Sequence, residues 1–171
     1  MYKIMNNYNL RAVKLEDADA LFEFSKDNEV TKYLSWESHK NIEETINVIS
    51  NYYLTKTPVS FVIVNEDDTA IGVIDFNDTD RSDYKEIGYF LNPKYHNKGI
   101  MTNAVKKLLE IGFKELNYEV ISISHVKENI QSQRVIEKSG FTYKQTFENI
   151  IYKNKNHSLL YYEMKGIDFN E

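Results

Sequence analysis

Cysteine is absent from this 171-residue chain, which excludes disulfides, thiolate metal sites and a cysteine nucleophile at once. Proline occurs only twice and glycine six times, and no repeat, Pro- or Ser-rich linker or low-complexity segment divides the chain. A single domain, residues 1–171, is therefore expected. No run approaches the roughly 18 apolar residues that span a bilayer. The N-terminal MYKIMNNYNLRAVKLEDADA has neither an apolar signal core nor an Arg-rich presequence. The expectation is a cytoplasmic protein with no membrane partner. A basic stripe is also missing: 26 acidic and 21 basic side chains are mixed along the chain for a net charge of −5, which argues against nucleic acid and mildly favours cationic substrates such as amines. The four histidines, at 39, 96, 125 and 157, show no metal-ligand spacing, so no metal is expected.

What the chain does contain is core material. Hydrophobic residues make up 42% and aromatic residues 13%, with 13 tyrosines and nine phenylalanines, enough for a packed domain and too much for disorder. Tyr8 to Val13 alternates as a strand, and Asp17 is expected to cap a helical stretch, ADALFEFSKD. Asn41 with Glu44 opens a second helix in which Ile42, Ile46, Ile49 and Tyr53 recur at helical spacing. VSFVIVN and AIGVIDFN, separated by EDDT, read as a hairpin, and KEIGYFL extends it to an antiparallel meander over residues 59 to 91. A polar turn around Gly99 leads into the helix TNAVKKLLEIGFKEL; then follow the strand EVISISHV, a short helix ended at Gly140, and two strands about KNKN. The order is β-α-α-β-β-β-α-β-α-β-β. The crossover through residues 85 to 126 makes two parallel neighbours and should be right-handed.

The turn YHNKGIMT, residues 95 to 102, is the first candidate site. The leading N–H groups of a helix lack intrahelical partners and its dipole favours an anion there. Gly99 allows close approach of backbone to a ligand, Asn97 tolerates a left-handed conformation, and Lys98 adds a cation. On the turn alone, an ordinary exposed strand-to-helix connection explains the same residues.

The motifs taken together resemble those of the GCN5-related N-acetyltransferase (GNAT) superfamily, and within it the branch that acetylates the N-terminal amines of ribosomal proteins. The superfamily's pyrophosphate signature is Gln or Arg, two variable residues, Gly, one variable residue, then Gly or Ala. Here it reads His96, Asn97, Lys98, Gly99, Ile100, Met101, followed by the Thr102 common in the branch; His96 and Met101 depart from the signature. Asn129, Ser132, Lys138, Gly140 and Phe141 match the branch's Asn-x-x-Ser and Lys-x-Gly-Phe elements, and EIGYFLNP and KYLSWESH match others in the right order.

The resemblance implies an α/β fold: a mixed, largely antiparallel sheet of six to seven strands, flanking helices and a splayed parallel pair in the centre. Acetyl-CoA would be the cofactor, its pantetheine arm filling the gap between the strand ending near Leu91 and the one beginning near Val120. Phe90, Leu91, His96, Asn97, Lys98, Gly99, Ile100, Met101, Thr102, Asn129 and Ser132 are the implied cofactor contacts, and Trp36, Glu37 and Tyr161 the implied acceptor contacts.

Acetyl transfer to an amine needs a neutral amine, a stabilised oxyanion and a proton for the departing thiolate. Glu86 of EIGY and His125, at the end of ISISHV, are both open as the base. The main-chain N–H near Leu91 would serve the oxyanion. Many relatives carry a Tyr seven residues after the Asn, where this chain has Ile136; Ser132 then becomes the candidate at the sulfur, against a plain helix-start role. Three functions follow: N-acetylation of a protein N-terminal α-amine, N-acetylation of a small amine (polyamine, aminoglycoside or amino acid), or acyl-CoA binding without catalysis. The protein would act as a monomer or homodimer.

Overall fold

The computed structural model describes residues 1–56 and 59–169. The strands are β1 (Tyr2–Met5), β2 (Tyr8–Ala12), β3 (Ser60–Val64), β4 (Ala70–Asp78), β5 (Tyr84–Leu91), β6 (Val120–Val126), β7 (Thr142–Tyr152) and β8 (Lys155–Lys165). The helices are α1 (Ala18–Ser25), α2 (Asn28–Thr31), α3 (Ile42–Val48), α4 (Ile100–Glu110) and α5 (Ile130–Lys138). The strand order is β1-β2-β3-β4-β5-β6-β8-β7. The expected mixed sheet is present, with eight strands in place of six or seven: Tyr2–Met5 adds an edge strand, paired antiparallel with Tyr8–Leu10. Among the described residues no helix is long and apolar enough to cross a membrane.

Two compact units are distinguished, Met1–Asp75 with Tyr89–Ile100, and Phe76–Gly88 with Met101–Glu171. In the first, β2, β3 and β4 pair antiparallel, and every residue of β3 is buried. That explains why SFVIV is a near-continuous apolar run rather than an alternation. Val62, Val64 and Val73 form a core with Leu21, Phe24 and Ile49. Asn41 Oδ1 accepts from the Glu44 amide at 3.0 Å, the cap expected for α3. Asp17 behaves otherwise: its side chain makes no cap bond to α1. Instead it grips the guanidinium of buried Arg11 at 2.7 and 2.9 Å and accepts the Lys14 amide at 2.8 Å. A buried arginine needs that carboxylate more than the helix needs a cap.

Gly72 is fixed by a close approach of β4 and the end of β5. A Cβ there would lie 2.8 Å from both the Phe90 carbonyl oxygen and Leu91 Cδ1, and a backbone oxygen cannot yield as a side chain can. Gly72→Ala is expected to destabilise the fold by about 1–3 kcal/mol, read as a drop in the urea midpoint with an unchanged slope.

In the second unit β5 and β6 are parallel, with Tyr84, Lys85, Glu86 and Ile87 opposite Val120, Ile121, Ser122 and Ile123. β8 pairs antiparallel with both β6 and β7. Helix α4 buries Ile100, Met101, Ala104, Val105, Leu108 and Leu109, a stripe at helical spacing. Gly112 follows in a π-helical turn, Ile111–Glu115, where a Cβ would meet Ile121 Cδ1 at 2.6 Å and Phe76 Cζ at 2.8 Å. Helix α5 ends as expected at Gly140, φ +88°.

Candidate active site

Strand register separates the two candidate bases. The rows Glu86–Ser122–Glu163 and Ser124–Tyr161 are opposite neighbours across β5, β6 and β8, and side chains two apart on a strand share a face. One face therefore carries Tyr84, Glu86, Ser122, Ser124, Tyr161 and Glu163; the other carries Ile121, Ile123, His125, Leu160 and Tyr162. Glu86 and His125 stand on opposite faces.

Glu86 is half-buried, and its Oε1 accepts from Ser124 Oγ at 2.8 Å. The hydroxyl sets the carboxylate's direction. Beyond it, Glu163 Oε1 accepts from Tyr84 Oη at 2.6 Å and from Tyr161 Oη at 3.1 Å. Burial, and then the Glu163 charge, push the Tyr161 hydroxyl up to about 12, so Tyr161 remains a donor at neutral pH. His125 is buried, with 4% exposure. Its Nδ1 lies 2.8 Å from the Val126 carbonyl oxygen and its Nε2 3.1 Å from Tyr162 Oη, and its ring stacks on Tyr162 at 5.6 Å. Because a carbonyl only accepts, Nδ1 carries the proton. Both ring nitrogens are thus committed to structural partners.

Ser124, Tyr84 and Glu163 are members of this face that motif reasoning passed over. The signal for Ser124 was the strict alternation of ISIS, which puts two small polar side chains on one face. The tyrosine–glutamate contact joins residues 79 apart in sequence and has no local signature.

At the end of β5 the Asn92 amide still donates to Ile71 O at 2.8 Å, and a 3-10 turn, Pro93–Tyr95, begins with Asn92 Oδ1 accepting the Lys94 amide. His96 Nε2 donates to Leu91 O at 3.0 Å. The residue that departs from the Gln/Arg pattern thus ties the turn back to the strand. Asn97 and Gly99 have φ of +59° and +74° on either side of Lys98, and these three residues are exposed. Such alternation of backbone handedness turns successive N–H groups toward one concavity and suits an anion, and α4 begins immediately after it. Met101 is 5% exposed; its thioether belongs to the buried stripe of α4. Thr102 is half-buried one position further on. These residues fit a diphosphate.

The remaining candidates fall into two groups. Asn129 caps α5 through Oδ1, which accepts the Ser132 amide at 3.2 Å; Ser132 is 9% exposed in the first turn, and Ile136 is fully buried. Phe90 packs with Trp36 at 5.2 Å and with Phe24 at 5.7 Å, and Trp36 also contacts His39 at 5.2 Å. Glu37 is exposed and lines an open cavity of about 550 Å³ with Lys26, Asn28, Ser38, His39 and Lys40. His39 in that cavity has its pKa lowered by burial, with Glu44 opposing.

Comparison with known proteins adds an independent line. A family model described as an acetyltransferase (GNAT) domain matches residues 7–142. The uncharacterized N-acetyltransferase p20 of Bacillus licheniformis is 34% identical over 137 residues, 77% of each chain. The uncharacterized N-acetyltransferase YnaD of Bacillus subtilis (strain 168) is 32% identical over 146 residues, 84% of each. Among solved structures, an acetyltransferase (GNAT family) from Bacillus anthracis superposes with a TM-score of 0.87 at 27% identity, over 95% of this chain and 96% of that one.

Proposed function

Because the chain belongs to the GNAT acetyltransferase family and is an N-acetyltransferase, we propose that Glu86 takes the proton of an acceptor amine and that this amine is the α-amine of a protein N-terminus. The cofactor, acetyl-CoA, supplies when bound an acetyl thioester, an acyl group activated toward amines. Main-chain N–H groups from Asn97 to Thr102 would hold its diphosphate, with Lys98 contributing a cation. The Asn129 side-chain amide would hold the pantetheine arm along β6 beyond Ile123, where the registered pairing with β5 ends. The main-chain N–H near Leu91 would polarise the thioester carbonyl, with Phe90 beside it as a cofactor contact, Ser132 would serve the sulfur in place of the tyrosine that Ile136 replaces, and Trp36 and Glu37 of the first unit and Tyr161 of the second would each contact the acceptor.

One observation carries the choice of base: the Ser124–Glu86 bond at 2.8 Å orients a half-buried carboxylate on the polar face, whereas His125 is buried on the other and bonded at both nitrogens. An α-amine, with a pKa of roughly 7.7–8.0, asks less of such a base than a lysine-like amine near 10.4. A relative, YdaF of Bacillus subtilis, bears the name putative ribosomal N-acetyltransferase, which supports the peptide reading. A small amine is the second reading, supported by the two carboxylates of the polar face and by the spermidine N(1)-acetyltransferase of Escherichia coli among the relatives.

The test is thiol release from acetyl-CoA with N-terminal peptides and small amines side by side. Peptides are expected to give the higher kcat/KM, by about tenfold or more. A small amine that outperforms every peptide overturns the peptide reading, and absence of turnover with all acceptors overturns the proposed chemistry.

A further inference from the structure

Glu163 is the feature of the polar face that proton abstraction does not use. It is aligned with Glu86 across β6, since Ser122 is the register partner of both. At a strand spacing of about 4.8 Å their Cα atoms are roughly 10 Å apart. Between the two carboxylates lie Ser122, 1% exposed on the side where Tyr84 reaches across β6 to Glu163, and Ser124, a small half-buried side chain that leaves the approach open on its own side. Tyr84 and Tyr161 both donate to the same oxygen, Oε1, which fixes the carboxylate and turns Oε2 the other way. The cation described at Oε2 is Lys144 Nζ, 3.9 Å away on the end strand β7, from a side chain 40% exposed, whereas Glu163 is 21% exposed. A half-buried carboxylate whose ion pair is long and comes from an exposed side chain can exchange that cation for one carried by the acceptor.

We propose that Glu163 is a specificity residue of the acceptor site: it takes a second positive charge of the acceptor while the reacting amine sits at Glu86. The inference rests on the reading of Glu86 as base. It assigns the acceptor class, an amine with another cation within roughly 10 Å of the reacting nitrogen, whether a diamine or a peptide whose N-terminal residue is followed by lysine.

Kinetics with matched pairs test this. 1,4-Diaminobutane is compared with n-pentylamine, and an N-terminal Ser-Lys peptide with its Ser-norleucine analogue. The wild-type protein should prefer a charged member over its neutral match. Glu163→Gln, whose amide oxygen still accepts from the tyrosines, should erase that preference through a KM increase of about tenfold for the charged member. Its kcat, and the kinetics of the neutral member, should stay within twofold. A brace that served only the sheet would affect both members equally, and that result overturns the inference while leaving acetyl transfer intact. Lys144→Ala, on an exposed strand, is a second variant independent of the tyrosine contacts: loss of the competing cation should raise kcat/KM for the charged member two- to threefold, and no rise overturns the inference. A preference in the diamine pair only identifies a small-molecule source of the second charge; in the peptide pair only, a protein source. No turnover with any acceptor, or full activity of Glu86→Gln, overturns the reading of Glu86 and this inference with it.

Discussion

Glu86→Gln is expected to lower kcat at neutral pH by about 10²–10³-fold, within the range a positioned general base supplies, with acetyl-CoA affinity unchanged. The amide is isosteric, so Ser124 Oγ, which donates to Glu86 at 2.8 Å, still has an oxygen to bond and the face need not rearrange. What is lost is a proton acceptor. Stopped and steady-state thiol release measures the first quantity and calorimetry the second. The pH dependence carries the diagnosis further. A base is needed only while the amine is protonated, so the deficit should narrow as pH approaches the acceptor's own pKa. For a protein α-amine that is near pH 8, and for a lysine-like amine only above about pH 10. A variant as fast as the parent at pH 7 removes Glu86 from the chemistry. One equally impaired at every pH assigns it to holding the acceptor rather than deprotonating it.

Much of this arrangement was legible before any coordinates. The hairpin of β3 and β4 and the strand of EIGYF follow from β-branched runs set off by turns, and α4 from its stripe of apolar residues, because burial of one face imposes those periods. Gly99 was singled out on local grounds, and Glu86, Asn129 and Ser132 through the resemblance of their segments to those of the GNAT branch. What escaped was non-local. Tyr2–Met5 is a short edge strand whose pairing with Tyr8–Leu10 is too brief to be read from composition. Asp17 looked like a helix cap because its competitor for that carboxylate, Arg11, becomes a contact only when the chain folds back. The opposition of Glu86 and His125 needed the registers of β5 with β6 and of β6 with β8: a slip of one residue would exchange the faces, and no motif encodes a register. Glu163 escaped for the same reason, as its tyrosine partner Tyr84 lies on a strand that is not its neighbour.

Gly99→Val should produce the second large effect, a rise of about 10–100-fold in the acetyl-CoA dissociation constant. Two costs act together. At φ +74° a β-branched residue is strained by about 1–3 kcal/mol, so the turn either keeps its shape at that cost or abandons it. Should it abandon it, the alternation with Asn97, at φ +59°, is lost, and successive N–H groups no longer converge on one anion. Should it keep it, the isopropyl group projects from the exposed loop that the diphosphate must approach. Either outcome weakens binding of the donor while Glu86, Ser124 and Tyr161 on the sheet are untouched. The signature is therefore a raised KM for acetyl-CoA with kcat at saturation within a few-fold of the parent. Calorimetry with CoA alone separates the two routes from any catalytic defect, and comparison with Gly99→Ala, which has the same φ conflict but a smaller side chain, apportions strain and obstruction. Unaltered CoA affinity in Gly99→Val would show that the diphosphate is held elsewhere, and would remove the amides ahead of α4 from the donor site.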